Sequence, residues 1–201
     1  GWRTVINGWI NKLEPENVRM MTIFLDFRHV YGKKALCDQL RNFVIRSFQK
    51  SSAVLVFLVK DDLNYHAPLN FFKQIITEKT KDNRNLVNLK RAACIHIVDC
   101  LRIFSLREGI EETNTLKRLE LLAKKRIFSP EETETFGVAF EKLMMLRIEQ
   151  SLLQLSRGEE PDNNIYPQEL SKRDRAALRK AFLAVEQLQN LTGHAFYATI
   201  G

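Results

Sequence analysis

The stretch TIFLDFRHVYG, residues 22–32, carries an aspartate and an arginine inside an otherwise apolar and aromatic run. As a β-strand it would send successive side chains to opposite faces. Thr22, Phe24, Asp26 and Arg28 would then share one face, and Ile23, Leu25 and Phe27 the other. On that reading Asp26 and Arg28 are neighbours at a strand end, and Gly32 stops the element.

On either side of this stretch the dominant period is helical. Trp2, Val5, Ile6, Trp9, Ile10 and Leu13 recur at the spacing of one helix face, and Pro15 breaks the row. After Gly32 the pattern predicts a helix over about 33–50 and a second starting near Ser52. The core of that second helix, VLVFLV, could by itself be a strand, but Ala53, Phe57, Lys60 and Asn64 continue a helical row.

Beyond Pro68 the character changes. Two arms rich in β-formers, 71–78 and 86–90, flank the polar turn KTKDNRN and predict a β-hairpin. Helix returns from Arg91 and stops at Gly109. Asn114 or Thr115 starts a short helix through Lys125. Ser129, Pro130 and Glu132 form the clearest helix start in the chain, with a cap, a proline at the first helical position and a capping box, and that helix should end at Gly158. After the loop GEEPDNNIYPQEL, Ser171 caps a last helix reaching about Tyr197. The fold expected is mainly α: a bundle of about five long helices with a small β-hairpin and one strand.

Composition narrows the function. The chain has 201 residues, enough for one domain with a sizeable core or for a domain with a piece of another. It is 45% apolar, as globular proteins are. No apolar run approaches the roughly 20 residues that span a bilayer, and the N-terminal stretch lacks the order of a signal peptide, so a soluble cytoplasmic protein with no membrane partner is expected. Cys37, Cys94 and Cys100 are odd in number and without CxxC spacing, which suits a reducing compartment. The net charge of +7 invites a phosphate partner. Yet the basic residues of KRLELLAKKR and SKRDRAALRKAF lie opposite the leucines, as on solvated helix faces. With no Cys/His finger, glycine-rich aromatic motif or basic tail, nucleic acid is not expected as a partner.

The series TIFLDFRHVYG, PLNFF, a hairpin closing on NLK, IVDCLRIFSL, TNTLKRLELLA and LMMLRIEQSLLQLSRGEEPDNNIYPQELS, followed by a long final helix, resembles the nucleotidyltransferase substrate-binding domain family. The resemblance implies a helical domain C-terminal to a catalytic domain in bacterial signalling proteins that also carry CBS or cyclic-nucleotide-binding sensor domains. That family is related to the protein-PII uridylyltransferases. Residues 1–32 would be the C-terminal remnant of the catalytic domain and 33–201 the helical substrate-binding domain. The implied partners are a nucleoside triphosphate, an acceptor that is either a protein or a small molecule, and the upstream domains of the same chain.

Catalysis of this type uses three carboxylates to hold Mg²⁺ against the triphosphate, two of them in an Asp-x-Asp pair after a Gly-Ser turn. The family pattern places Asp26 as the third carboxylate, with Arg28 beside it. The alternative is a same-face ion pair of the two. No Gly-Ser turn and no Asp-x-Asp occurs in this sequence, so the chain alone is expected to be inactive, with Mg²⁺ relevant only to a longer protein.

Further candidates for substrate binding follow along the chain. Lys90 precedes a helix on which Asp99 and Arg102, three apart, can touch. Near Lys90 the related uridylyltransferases have a glycine-rich loop where this chain reads RAACIH, which weakens a phosphate loop there; His96 stands alone. Asn114 either caps its helix or helps form an anion site at that N-terminus, with Lys117 and Arg118 one turn in. Arg147 falls on an apolar helical row between Leu143, Met144, Ile148 and Ser151, so a carboxylate, carbonyl or phosphate must meet it, Asp99 being one carboxylate to consider.

Overall fold

A computed structural model describes residues 1–79 and 83–197. Among these residues the protein is mainly α, with eight α-helices and three short strands. The chain divides into two compact units, one of residues 1–64, 99–129 and 191–201, the other of residues 65–98 and 130–190.

In the first unit α1 (Trp2–Asn11) packs on α2 (Pro15–Phe24) and α3 (Lys34–Gln49), and α4 (Ser52–Leu63) packs on α2 and α3. The expected strand at 22–28 is not formed. Pro15 sits at the first position of α2, whose rigid φ suits a helix start, and the helix continues through Phe24 into a turn at Leu25. Ile23 and Leu25 would share one face of a strand, but Ile23 is 71% exposed and Leu25 only 4%. The buried row is Val18, Met21, Leu25, at helical spacings of three and four. Phe24 stacks on Trp2 at 4.7 Å and on Phe27 at 5.0 Å, which anchors the end of α2 against α1. The alternation of polar and apolar residues over 22–28 is therefore the tail of a helix followed by a turn.

The same unit contains the part of α5 (Ile95–Arg107) from Asp99 onward, and α6 (Thr115–Lys124). VLVFLV is helical, with Val54, Leu55, Leu58 and Val59 all buried. Gly109 ends α5 with φ +70°, a left-handed conformation that favours glycine, while the nearby Gln49 amide is the end of a flexible side chain that could move aside. Phe104 meets Phe128 and Phe196 edge-on at 5.0 and 5.2 Å and closes this core.

The second unit is built on α7 (Pro130–Ser156) and on α8 (Lys172–Tyr197) up to Asn190. Pro130 is the first residue of α7 as its sequence predicts, and Gly158 follows the helix end with φ +72°. Ser171 starts α8, its hydroxyl accepting from the Asp174 amide at 3.0 Å. Leu178, Phe182, Val185 and Leu188 form the buried row of this helix. The hairpin forms but is shorter than expected: β1 (Glu78–Lys79) pairs antiparallel with β2 (Asn85–Asn88). Residues 80–82 of its expected turn lie outside the described residues. The arm from Phe71 to Ile76 is not a strand, because Phe71 and Phe72 are exposed and their segment turns back on itself, Asn70 donating to the Gln74 carbonyl. A strand the sequence did not announce, β3 (Asn164–Ile165), pairs with β2 and buries Ile165. A π-helical turn (Lys90–Cys94) leads from β2 into α5.

Cys94 and Cys100 are buried thiols and Cys37 is half-buried. No helix among the described residues is long and apolar enough to cross a membrane.

Candidate functional site

The polar centre of the first unit is assembled from three helices and one turn. Asp26 stands in the turn after α2, Arg102 on the buried side of α5, Asp99 one turn before it, and Arg118 in the first turn of α6. One Asp26 oxygen accepts from Arg102 Nε at 3.1 Å and Nη2 at 2.6 Å. The other accepts from Arg118 Nη2 at 2.6 Å. Arg102 Nη1 also donates to Asp99, while Arg118 Nε donates to the Glu112 carbonyl at 2.7 Å. A further guanidinium, Arg41 of α3, donates to the Phe27 carbonyl and lies 4.5 Å from the Phe27 ring centroid. Three arginines from three helices therefore grip two consecutive residues.

Burial gives this cluster its strength. The side chains of Arg102 and Arg118 are 9% and 4% exposed, and that of Asp26 29%. Burial pushes the Asp26 carboxyl up, but the hydrogen bonds and charge of Arg102, then of Arg118, outweigh it and hold the group below the usual carboxylate range. Arg102, with both Asp26 and Asp99 as partners, is held in its charged form despite burial. Arg118 shifts the other way: burial, aided by the nearby positive charges of Arg102 and Arg41, outweighs its one carboxylate. Its Nη1 is buried with no hydrogen-bond partner among the described residues.

The alternative reading, a same-face pair of Asp26 with Arg28, is not what forms. Asp26 turns inward to Arg102 and Arg118, and Arg28 is exposed because the strand that would align the two is absent. Asn114 caps α6, its Oδ1 accepting from the Lys117 amide at 3.1 Å. Beside it the Glu112 carboxylate takes the amides of Thr113 at 2.7 Å and Asn114 at 2.8 Å, and those bonds hold its carboxyl below the usual range.

Lys90 and Arg147 belong to the second unit. Lys90 is exposed at the start of the π-helical turn. Arg147 is half-buried, and Asn163 Oδ1 accepts from its Nε at 3.1 Å and its Nη2 at 2.7 Å. Its Nη1 approaches Met144 Sδ at 3.3 Å. The partner is thus an amide carbonyl, while Asp99 pairs with Arg102. Burial raises the Cys94 thiol, partly offset by Arg147. Sequence reasoning overlooked Arg41, Glu112 and Asn163. Asn163 alone had a visible signal, as one of the polar residues in the DNN of its loop.

The chemistry of this centre favours an anion. Its donors are guanidinium N–H groups, which hydrogen-bond oxyanions and repel cations. Both oxygens of Asp26 already accept from arginine, and among the described residues no group of three His, Cys, Asp or Glu could hold a metal. In this chain the Asp26 carboxylate is therefore held by arginines, without the Asp-x-Asp pair that a Mg²⁺ site of this kind requires beside it.

The chain is mainly α, and its first unit centres on a buried pair of guanidinium groups held by carboxylates. Residues 52–196 match the family model described as "Putative nucleotidyltransferase substrate binding domain", and the chain belongs to that family. No curated protein and no solved structure matches the chain significantly. Lys90, Asp99, Arg102, Asn114, Arg118 and Arg147 lie inside the matched stretch; Asp26, Arg28 and Arg41 lie in the segment before it.

Proposed function

We propose that this chain is the helical partner of a nucleotidyltransferase catalytic domain and forms one wall of its nucleotide and acceptor cleft, in the manner of the protein-PII uridylyltransferases. The observation that carries this reading is the buried Arg102–Arg118 pair inside the family-matched stretch, because buried guanidinium groups are suited to phosphate recognition. Mg²⁺ and the nucleophile's activation would belong to the catalytic domain, since the Asp-x-Asp pair such chemistry requires is not in this sequence. The chain's own contribution is to bind and orient. Positioning of this kind supplies a large share of phosphoryl-transfer rates.

The test is nucleotidyl transfer with labelled nucleoside triphosphates, Mg²⁺ and a panel of acceptors. The chain alone should show none, and a longer protein with its catalytic domain should show activity that falls by orders of magnitude on Arg102→Gln. Turnover by the chain alone would remove the division of labour, and full activity of the Arg102→Gln protein would remove the role of the cluster.

A second reading is favoured by a different observation. On α7 the side chains of Val138, Met145, Ile148, Leu152 and Leu155 are all exposed, at spacings of seven, three, four and three. Such a row matches the seam on which another helix packs. It supports a non-catalytic role in which the domain relays the ligand state of upstream CBS or cyclic-nucleotide sensor domains to a partner protein.

A further inference from the structure

The Asp26 cluster has the build of an occupied ligand site. Its two arginines stand on α5 and α6, and Arg118 is further fixed by the Glu112 carbonyl, so the N–H fork is pre-organised. The carboxylate between them comes from outside the family-matched stretch. It is the most exposed member of the trio and lies in a segment, residues 25–33, that belongs to no helix or strand, so it can withdraw without unwinding one.

The hydrogen-bond inventory is incomplete on the arginine side. A carboxylate has two oxygens, and these take Arg102 Nε and Nη2 and Arg118 Nη2. Arg118 Nη1 is left buried without a partner among the described residues. A tetrahedral phosphate offers more acceptor oxygens and more charge than the carboxylate. Charge points the same way. Asp26 and Asp99 balance Arg102 and Arg118, so with Asp26 withdrawn these residues leave one net positive charge; of the nearby charges Arg41 and Lys117 add to it and the Glu112 carboxylate subtracts.

We propose that the Arg102–Arg118 pair is an oxyanion site for the phosphate chain of a nucleotide or pyrophosphate, and that Asp26 is its tethered internal occupant, displaced when that ligand binds. The inference rests on the substrate-binding reading above and extends it to the ligand's chemistry and to a built-in competitor. A site that must first expel its own carboxylate binds more weakly by the fraction of time it stands open. Asp26 therefore sets the affinity, and the segment 25–33 reports occupancy.

The test is calorimetric titration of the full chain with inorganic pyrophosphate and with ATP. Asp26→Asn should bind pyrophosphate at least about tenfold more tightly than the wild type, as expected when a competing state is removed. Adding Arg118→Gln to that variant should abolish the gain. ATP binding equal to pyrophosphate assigns the site to the phosphate chain alone; tighter ATP binding adds the nucleoside. A variant that binds no better than wild type, or a gain that survives Arg118→Gln, overturns the proposal. The wild type supplies a readout independent of the variant's folding: pyrophosphate should speed tryptic cleavage after Arg28 and Lys33 several-fold, and unchanged cleavage overturns the displacement. Because these measurements need no catalytic domain, their failure is distinct from failure of the transfer assay.

Discussion

Asp26 and Arg102 stand 76 positions apart in the chain, yet one oxygen of the carboxylate takes both Nε and Nη2 of the guanidinium, at 3.1 and 2.6 Å. This contact ties the N-terminal segment to α5, and the 2.6 Å bond from Arg118 to the other oxygen ties it to α6. A partly buried carboxylate held between two buried arginines is a stability element as well as a candidate site.

Asp26→Asn should therefore destabilise the chain at neutral pH by about 3 kcal/mol, the lower end for stripping one partner from a buried ion pair. The pH dependence follows from the direction of its shift. Arginine partners hold the folded carboxyl below its ordinary value of about 3.9, so the contribution is complete above roughly pH 5. It declines as pH falls through the unfolded value toward the folded one. Urea midpoints of wild type and variant should lie well apart at pH 7 and converge toward pH 3. A difference that stays constant over that interval would show that the carboxylate's charge is not what stabilises the fold.

Arg147→Leu tests the second unit. Its guanidinium is half-buried and shares two hydrogen bonds with a neutral amide oxygen, a weaker arrangement than a buried ion pair. The loss should be about 2 kcal/mol, typical of hydrogen bonds to a charged group, and should be read as a lower urea midpoint with unchanged slope. Asn163→Ala should cost a similar amount, and the double variant little more than either single one. Additive losses would show that the two residues stabilise the unit separately.

The α7 row makes the third case. Leu152 is 61% exposed, so Leu152→Lys should leave stability within about 0.5 kcal/mol of wild type. In a longer protein carrying sensor domains, hydrogen exchange along α7 should respond to the sensor ligand in the wild type and not in the variant. If both respond alike, the relay reading loses its support.

The sequence was most legible where local rules act alone. Pro130 starts α7, Asn114 caps α6, Ser171 caps α8 and Gly109 ends α5, each because a single residue satisfies or releases nearby backbone groups. It was least legible at residues 22–28, where a short alternating run fits both the tail of a helix and a strand. The helical row of Val18, Met21 and Leu25 crosses into this run and distinguishes the two. β3 is two residues long and has no period of its own, so only pairing with β2 defines it.

The candidate site divides along the same line. Sequence by itself determined the helical class, most element ends and the polar residues worth suspecting, among them Asp26, Asp99, Arg102 and Arg118. It could not say that these four meet. Asp99 and Arg102 are three apart on one helix, so their contact follows from helical geometry. The contacts of Asp26 with Arg102 and Arg118 span 76 and 92 positions, and no local preference encodes them. Only the packing of α1, α2, α5 and α6 in one unit turns Asp26 away from Arg28 and toward two buried guanidinium groups, because those charges, removed from water, require a carboxylate that the rest of the chain must deliver.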